Sequence, residues 1–151
     1  MIALLCFLAA NALAAASGAY FRPGQWYQNL DKPGWRPPDR AFGPVWAVLY
    51  VLIAVAGWLV WQAGGAEALW PALAVYGLQL VLNALWSAIF FGAHRIGLAC
   101  IEVVLLWLAI AATAALFWPV SQLAAWLMAP YLVWVGFAVA LNFSVWRRNR
   151  S

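Results

Sequence analysis

Residues 97–118 read GLACIEVVLLWLAIAATAALFW, twenty-two positions with one charge, Glu102. A helix crossing the hydrocarbon core of a bilayer needs ~20 mostly apolar residues, so this stretch is long enough to cross. It also lacks the polar stripe that a helix on a soluble protein's surface would carry. Working outward, four more such stretches appear at about 2–20, 44–62, 68–92 and 124–146, and Glu102 is the only charge in all five. Gly64-Gly65, Gly92–Ile96 and Trp118-Pro119-Val120-Ser121-Gln122 join the later spans. Connections this short make consecutive helices antiparallel. The whole chain of 151 residues is 68% apolar and 8% charged, against about 25% charged in soluble domains. The expectation is an all-α integral membrane protein, one domain over 1–151, built as a bundle of five transmembrane helices with one long loop at 21–41.

The first span has a rival reading. Its apolar run gives way to Ala12, Ala14, Ala15, Ala16 and Ser17, as in a signal peptide with its cleavage site. It lacks the basic start of such a signal, and Asn11 with the ladder Ala10, Ala14, Gly18 suits a packed helix, so a retained helix is expected. That ladder, and Ala68 with Ala72 on the third span, fit either a homodimer face or packing inside the bundle.

The eight basic residues settle orientation. Arg22, Lys32, Arg36 and Arg40 precede the second span, Arg95 lies between the third and fourth, and Arg147, Arg148 and Arg150 follow the fifth. All fall on one side of the membrane. The positive-inside rule makes that side cytoplasmic and the N-terminus external, in a bacterial inner membrane. The net charge of +4 is thus a topology signal, and no nucleic-acid partner is implied. Cys6 and Cys100 lie in apolar stretches as small fillers, with no CxxC pair and no metal-ligand cluster.

The twelve tryptophans divide. Trp58, Trp61, Trp70, Trp118, Trp126 and Trp146 sit near span ends, where indoles anchor helices at the interface. Trp107 is left unassigned. Trp26 and Trp35 fall in the loop, and Trp46, Trp86 and Trp134 lie on stripes with helical spacing: Phe42, Trp46, Tyr50 on the second span; Gln79, Asn83, Trp86, Phe90 on the third; Tyr131, Trp134, Ala138, Leu141 with Asn142 on the fifth. Amides inside a bilayer must find partners, so these stripes should face inward. They fit either a packed core or the walls of one site for a flat hydrophobic ligand.

The loop carries Trp26-Tyr27-x-Asn29-Leu30-x-Lys32-Pro33-x-Trp35-x-Pro37-Pro38, followed by Phe42-x-Pro44-x-Trp46-x-x-Leu49-Tyr50. With Gln79-x-x-x-Asn83-x-x-Trp86-x-x-x-Phe90-Phe91, Pro130-Tyr131-x-x-Trp134 and Leu141-Asn142, this resembles the TspO/MBR family over nearly the whole chain. That family comprises the tryptophan-rich sensory proteins and the translocator protein, or peripheral benzodiazepine receptor. The resemblance implies a five-helix receptor, often a homodimer, that binds tetrapyrroles such as protoporphyrin IX and haem as ligands, with no obligatory cofactor. By similarity Tyr27, Trp35, Pro37 and Pro38 would form a lid, and Trp46, Tyr50, Asn83, Trp86, Trp134, Ala138 and Leu141 would form the walls; the stripes add Phe42, Gln79, Phe90 and Asn142 as ligand-binding candidates. Phe143 stands where the sterol-recognition segment of animal members has a tyrosine, which weakens a sterol reading.

Three function classes remain on these grounds. The first is a receptor or sensor that moves or sequesters its ligand. The second is an enzyme degrading bound porphyrin in light, with Trp46 and Trp134 reactive, and the third is a small-solute transporter. Porphyrin carboxylates would meet basic residues among Arg22, Lys32, Arg36 and Arg40. Glu102 is expected to pair with Arg95 in a structural role, with a proton or ligand role as the alternative, and His94 to be a solvated turn residue rather than a haem ligand.

Overall fold

The structure is a computed structural model that describes residues 1–64 and 66–150, apart from the side chains of residues 66–68. Gly65 of the second connection and the Ala68 side chain offered above as a dimer contact lie outside the described residues. The elements are α1 (Ile2–Tyr20), α2 (Gln25–Gln28), α3 (Asp39–Ala63), α4 (Ala66–Ser87), which a π-helical turn Ala88–Gly92 extends, α5 (Ile96–Phe117) and α6 (Gln122–Asn149). Among the described residues, five helices are long and apolar enough to cross a membrane.

Two helix starts differ from expectation for local reasons. α3 begins at Asp39 rather than near residue 44, because Pro37-Pro38 end the extended segment and Asp39 supplies an acidic first turn. Pro44 therefore lies inside the helix and leaves one backbone acceptor free near its start. α6 begins at Gln122 because Ser121 caps it, its Oγ accepting from the Ala124 N–H at 3.2 Å.

The helices close a ring in the order α1, α3, α6, α5, α4. Five helices cannot all alternate, and α1 with α4 is the parallel pair. The Asn11 amide donates to the Tyr76 hydroxyl at 3.0 Å, and the Ser17 hydroxyl donates to the Ala84 carbonyl at 2.6 Å. Gly57 permits the closest approach, since a Cβ there would lie 2.7 Å from the Phe7 ring and 2.8 Å from the Tyr76 ring. The ladder of α1 is used inside the protomer. Ala14 is buried in the core, Ala10 packs against it, and a Cβ on Gly18 would meet the Ser87 Oγ. Ala72 is buried as well. Ala14 and Ala72 are thus taken up by packing inside the protomer, while Gly18 remains exposed.

The polarity runs inside out relative to a soluble domain. Asn11, Gln79, Asn83, Glu102, Thr113 and Asn142 are buried, while Leu13, Val48, Leu78, Ile101, Leu108 and Val133 are exposed. This arrangement suits lipid, which solvates leucine and not amides. Trp61, Trp70, Trp118 and Trp126 are exposed near helix ends, as interface anchors should be. Trp58 departs from that reading: it is half-buried, and its indole N–H is enclosed with no partner among the described residues. Trp107 is resolved as a strut between helices, donating to the Leu132 carbonyl at 3.1 Å.

Candidate functional site

The loop between α1 and α3 folds down over the basic end of the bundle. Its first half is held at four points. α2 is a single turn, and Lys32 caps its end by donating to the carbonyls of Tyr27 at 2.7 Å, Leu30 at 3.1 Å and Gln28 at 3.3 Å. The lysine is thereby committed to the loop's own backbone. Tyr27 is buried with its ring 5.4 Å from Phe91 and 6.2 Å from Phe90. Burial pushes its phenol above the ordinary tyrosine range; the Asp39 carboxylate adds to the shift and Arg36 opposes it. Trp26 lies flat on His94, ring centres 4.0 Å apart and planes within 8°. Asn149, at the end of α6, donates to the Asp31 carbonyl at 2.8 Å and accepts from the Asp31 N–H at 3.0 Å.

His94 is therefore more than a solvated turn residue. It is exposed at one edge yet stacked on its face, and it holds φ at 58°, a left-handed conformation that costs a residue with a Cβ roughly 1 kcal/mol or more. The π turn before it explains how both Phe90 and Phe91 reach the loop. Its wider winding, closed by the Ala93 N–H on the Ala88 carbonyl at 2.8 Å, brings two successive rings to one side.

Below the loop the stripes face inward and form two linked groups. In the first, Phe42 meets Trp134 edge to face at 5.6 Å, and Trp46 lies 5.5 Å from Tyr50 and 6.2 Å from Tyr131. A line of hydrogen bonds ties this group together. The Tyr50 hydroxyl donates to Asn83 Oδ1 at 2.6 Å, Asn83 Nδ2 donates to the Tyr131 hydroxyl at 2.8 Å, and that hydroxyl donates to Gln79 Oε1 at 2.8 Å. In the second group Trp86 stacks on Phe90 at 5.0 Å, and its indole donates to Asn142 Oδ1 at 2.8 Å. The Asn142 Nδ2 donates to Cys100 Sγ at 2.9 Å and to the Ile96 carbonyl at 3.3 Å, so Cys100 is an acceptor and not only a filler. Ala138 packs with the first group and Leu141 with the second, and Trp86 borders both.

The remaining lid residues are loosely held. Trp35 is 51% exposed and reaches the bundle through the edge of Phe137 at 5.4 Å. Pro37 is half-buried and Pro38 is exposed at the start of α3. The walls touch one another through the ring contacts of Phe42, Trp46, Tyr131 and Trp134.

The expected Glu102–Arg95 pair does not form. Arg95 sits exposed before the first turn of α5, about two turns or ~10 Å from Glu102 along the helix. Glu102 instead faces inward beside Ala99, Val103 and Leu106, and neither carboxyl oxygen has a partner among the described residues. Tyr131, placed on an inward stripe by its spacing, links the two amides, and Phe91, Phe137, Trp26 and His94 join the site without having been singled out for it from the sequence. Phe137 lies three residues after Trp134 on the same stripe, so spacing alone could have found it. Trp26 and His94 lie outside any periodic element.

The chain matches the TspO/MBR family over residues 3–147. It is 44% identical over 144 residues to the protein CrtK of Rhodobacter capsulatus, covering 95% of this chain and 90% of that one. It is 41% identical to the tryptophan-rich sensory protein of Cereibacter sphaeroides, covering 96% and 90% of the two chains. To the human translocator protein it is 41% identical over 150 residues, covering 96% and 89%. A family match over nearly the whole chain and three relatives at 41–44% identity over 95–96% of it agree: the chain belongs to the TspO/MBR family.

Proposed function

We propose that this protein is a membrane receptor or sensor for tetrapyrroles such as protoporphyrin IX and haem, taken up as ligands between α3, α4 and α6 beneath the loop. One observation carries the reading: three helices turn Trp46, Trp86 and Trp134 into a shared interior that also holds Gln79 and Asn83, with Phe42 against the edge of Trp134. Large flat side chains are an uneconomical way to close a membrane bundle, which small residues do better, but they suit a flat aromatic guest. Two enclosed donors without partners among the described residues, Arg36 Nε in the loop and Gln79 Nε2 in the bundle, fit a ligand that brings acceptors. Arg36 therefore replaces Lys32 as the partner for a porphyrin carboxylate. Because the walls meet, uptake requires the Trp35 half of the loop to lift and Trp134 and Phe137 to part.

The reading places the basic end in the cytoplasm of a bacterium, in the inner membrane, and takes its homodimer from the family alone. Quenching of tryptophan emission by protoporphyrin IX tests it. Trp46→Ala and Trp134→Ala should each weaken binding about tenfold or more, through lost burial and ring contact. Unchanged affinity in both variants would overturn it. A second reading, light-driven degradation of the bound porphyrin, draws on the contact of Trp46 with Tyr50 and Tyr131, which offers a route for electrons away from a reactive indole. Illuminating the complex decides it: loss of the porphyrin band with a new product that requires Trp46 supports an enzyme, and unchanged pigment does not.

A further inference from the structure

Glu102 has no task in the site described above, yet the fold carries it into the interior. It lies on the buried stripe of α5 with Ala99, Val103, Leu106 and Ile110, and is only 6% exposed. α5 packs on α4, which carries Asn83 and Trp86, and on α6, which carries Trp134 and Ala138. Links between the helices fix its height. The Arg95 N–H donates to the Ile89 carbonyl at 3.1 Å, and α4 and α5 run antiparallel from there. Glu102, seven residues on, comes level with Leu82 and Asn83, about 10 Å in from that link. On the other side Asn142 Nδ2 donates to Cys100 Sγ and the Ile96 carbonyl, and Gly136 lies against Trp107. Those two crossings bracket Glu102 and set it beside Ala138. The carboxyl is thus at the height of residues already named as walls, on a helix that was not counted among them.

Neither Glu102 oxygen has a partner among the described residues, and neither has the Gln79 Nε2 group. The line from Tyr50 through Asn83 and Tyr131 ends on Gln79 Oε1 and supplies no donor to the carboxyl. An unpartnered carboxyl in a bilayer interior is costly, and a leucine of similar size would serve the packing better. Fold stability therefore does not explain this side chain; a guest that brings hydrogen-bond donors does. We infer that Glu102 is a specificity-determining residue, its carboxyl accepting from the pyrrole N–H groups at the centre of a free-base tetrapyrrole. The inference rests on the receptor reading above and adds α5 to its walls. A free-base ring has two such N–H groups, which tilt out of its plane toward an acceptor on one face, and the carboxyl has two oxygens to meet them. A ring whose carboxylates reach Arg36 at the loop has its centre deeper in the bundle, toward the level of Glu102. A ring filled by a metal has no N–H to offer, so the residue favours the empty ring over the filled one.

Tryptophan quenching of the full chain in detergent, by protoporphyrin IX and by its nickel(II) complex, tests this. Nickel removes both central N–H groups and, satisfied by a square plane of four nitrogens, gains little from a carboxylate above it. The unaltered protein should favour the free base about tenfold. Glu102→Leu should weaken the free base alone and bring the two rings to within about twofold of each other. Glu102→Gln keeps one acceptor oxygen and should fall between. Glu102→Leu should also melt at a higher temperature than the unaltered protein, since it removes an unpartnered buried carboxyl. Equal binding of the two rings, or a free-base preference that survives Glu102→Leu, would overturn the inference and leave the receptor reading standing. A lower melting temperature for Glu102→Leu would overturn it too, by showing that the carboxyl serves the fold. Failure of both rings to bind would overturn the receptor reading itself, and the inference with it.

Discussion

The loop over the basic end has two halves built in opposite ways. From Trp26 to Lys32 it is fastened by a ring stack on His94, a buried tyrosine, a lysine cap and a two-way clip to Asn149. From Pro33 to Pro38 only Pro33 is fully buried; a turn bond from the Arg36 N–H to the Pro33 carbonyl at 3.3 Å follows, and then Trp35, half-exposed, makes one edge contact with Phe137 while Pro38 is exposed. On the receptor reading proposed above, the anchored side would keep the loop in register and the Trp35 side, beside Phe137, would be the one to lift.

The largest break in that comparison should come from Tyr27. Replacing it with alanine empties a buried contact with two phenylalanines and should cost about 3 kcal/mol of stability. Trp35→Ala should cost under about 1 kcal/mol, as exposed positions usually do. Thermal unfolding of the purified protein in detergent separates the two, and equal losses would mean the halves are alike. Asn149→Ala should act next, removing both hydrogen bonds to Asp31 for about 1–2 kcal/mol of local stability. It should appear as faster amide exchange over residues 25–32 and faster porphyrin association, with global unfolding little changed. Asp31→Asn should do least. Its pair with Arg148 is 3.8 Å long and exposed, so a change within about 0.5 kcal/mol is expected, vanishing in high salt.

The legibility of this chain follows the same division. The five crossings were readable because lipid imposes length and apolarity on each helix independently. The inward stripes were readable because α-helical spacing is rigid, and Trp46, Asn83, Trp86 and Trp134 do face the interior. What spacing could not give was contact between elements. Lys32 reads as a topology charge until α2 forms and offers it three carbonyls. Glu102 reads as a partner for Arg95 until the start of α5 leaves that arginine outside the bundle. The ladder of α1 fits a second protomer as well as its own α3 and α4, and only the ring order shows that Ala14 is buried against its own neighbours. The spacing also left open whether the walls enclose space, because ring-to-ring contact depends on helix crossing and on rotamers.

A structure of the protein with protoporphyrin IX bound would test the receptor reading most directly. The account predicts the macrocycle between Trp46, Trp86 and Trp134, with Trp35 displaced, Tyr27 still on Phe91 and a carboxylate on Arg36. A macrocycle on the lipid-facing surface, with Trp46, Tyr131 and Trp134 undisturbed, would contradict it.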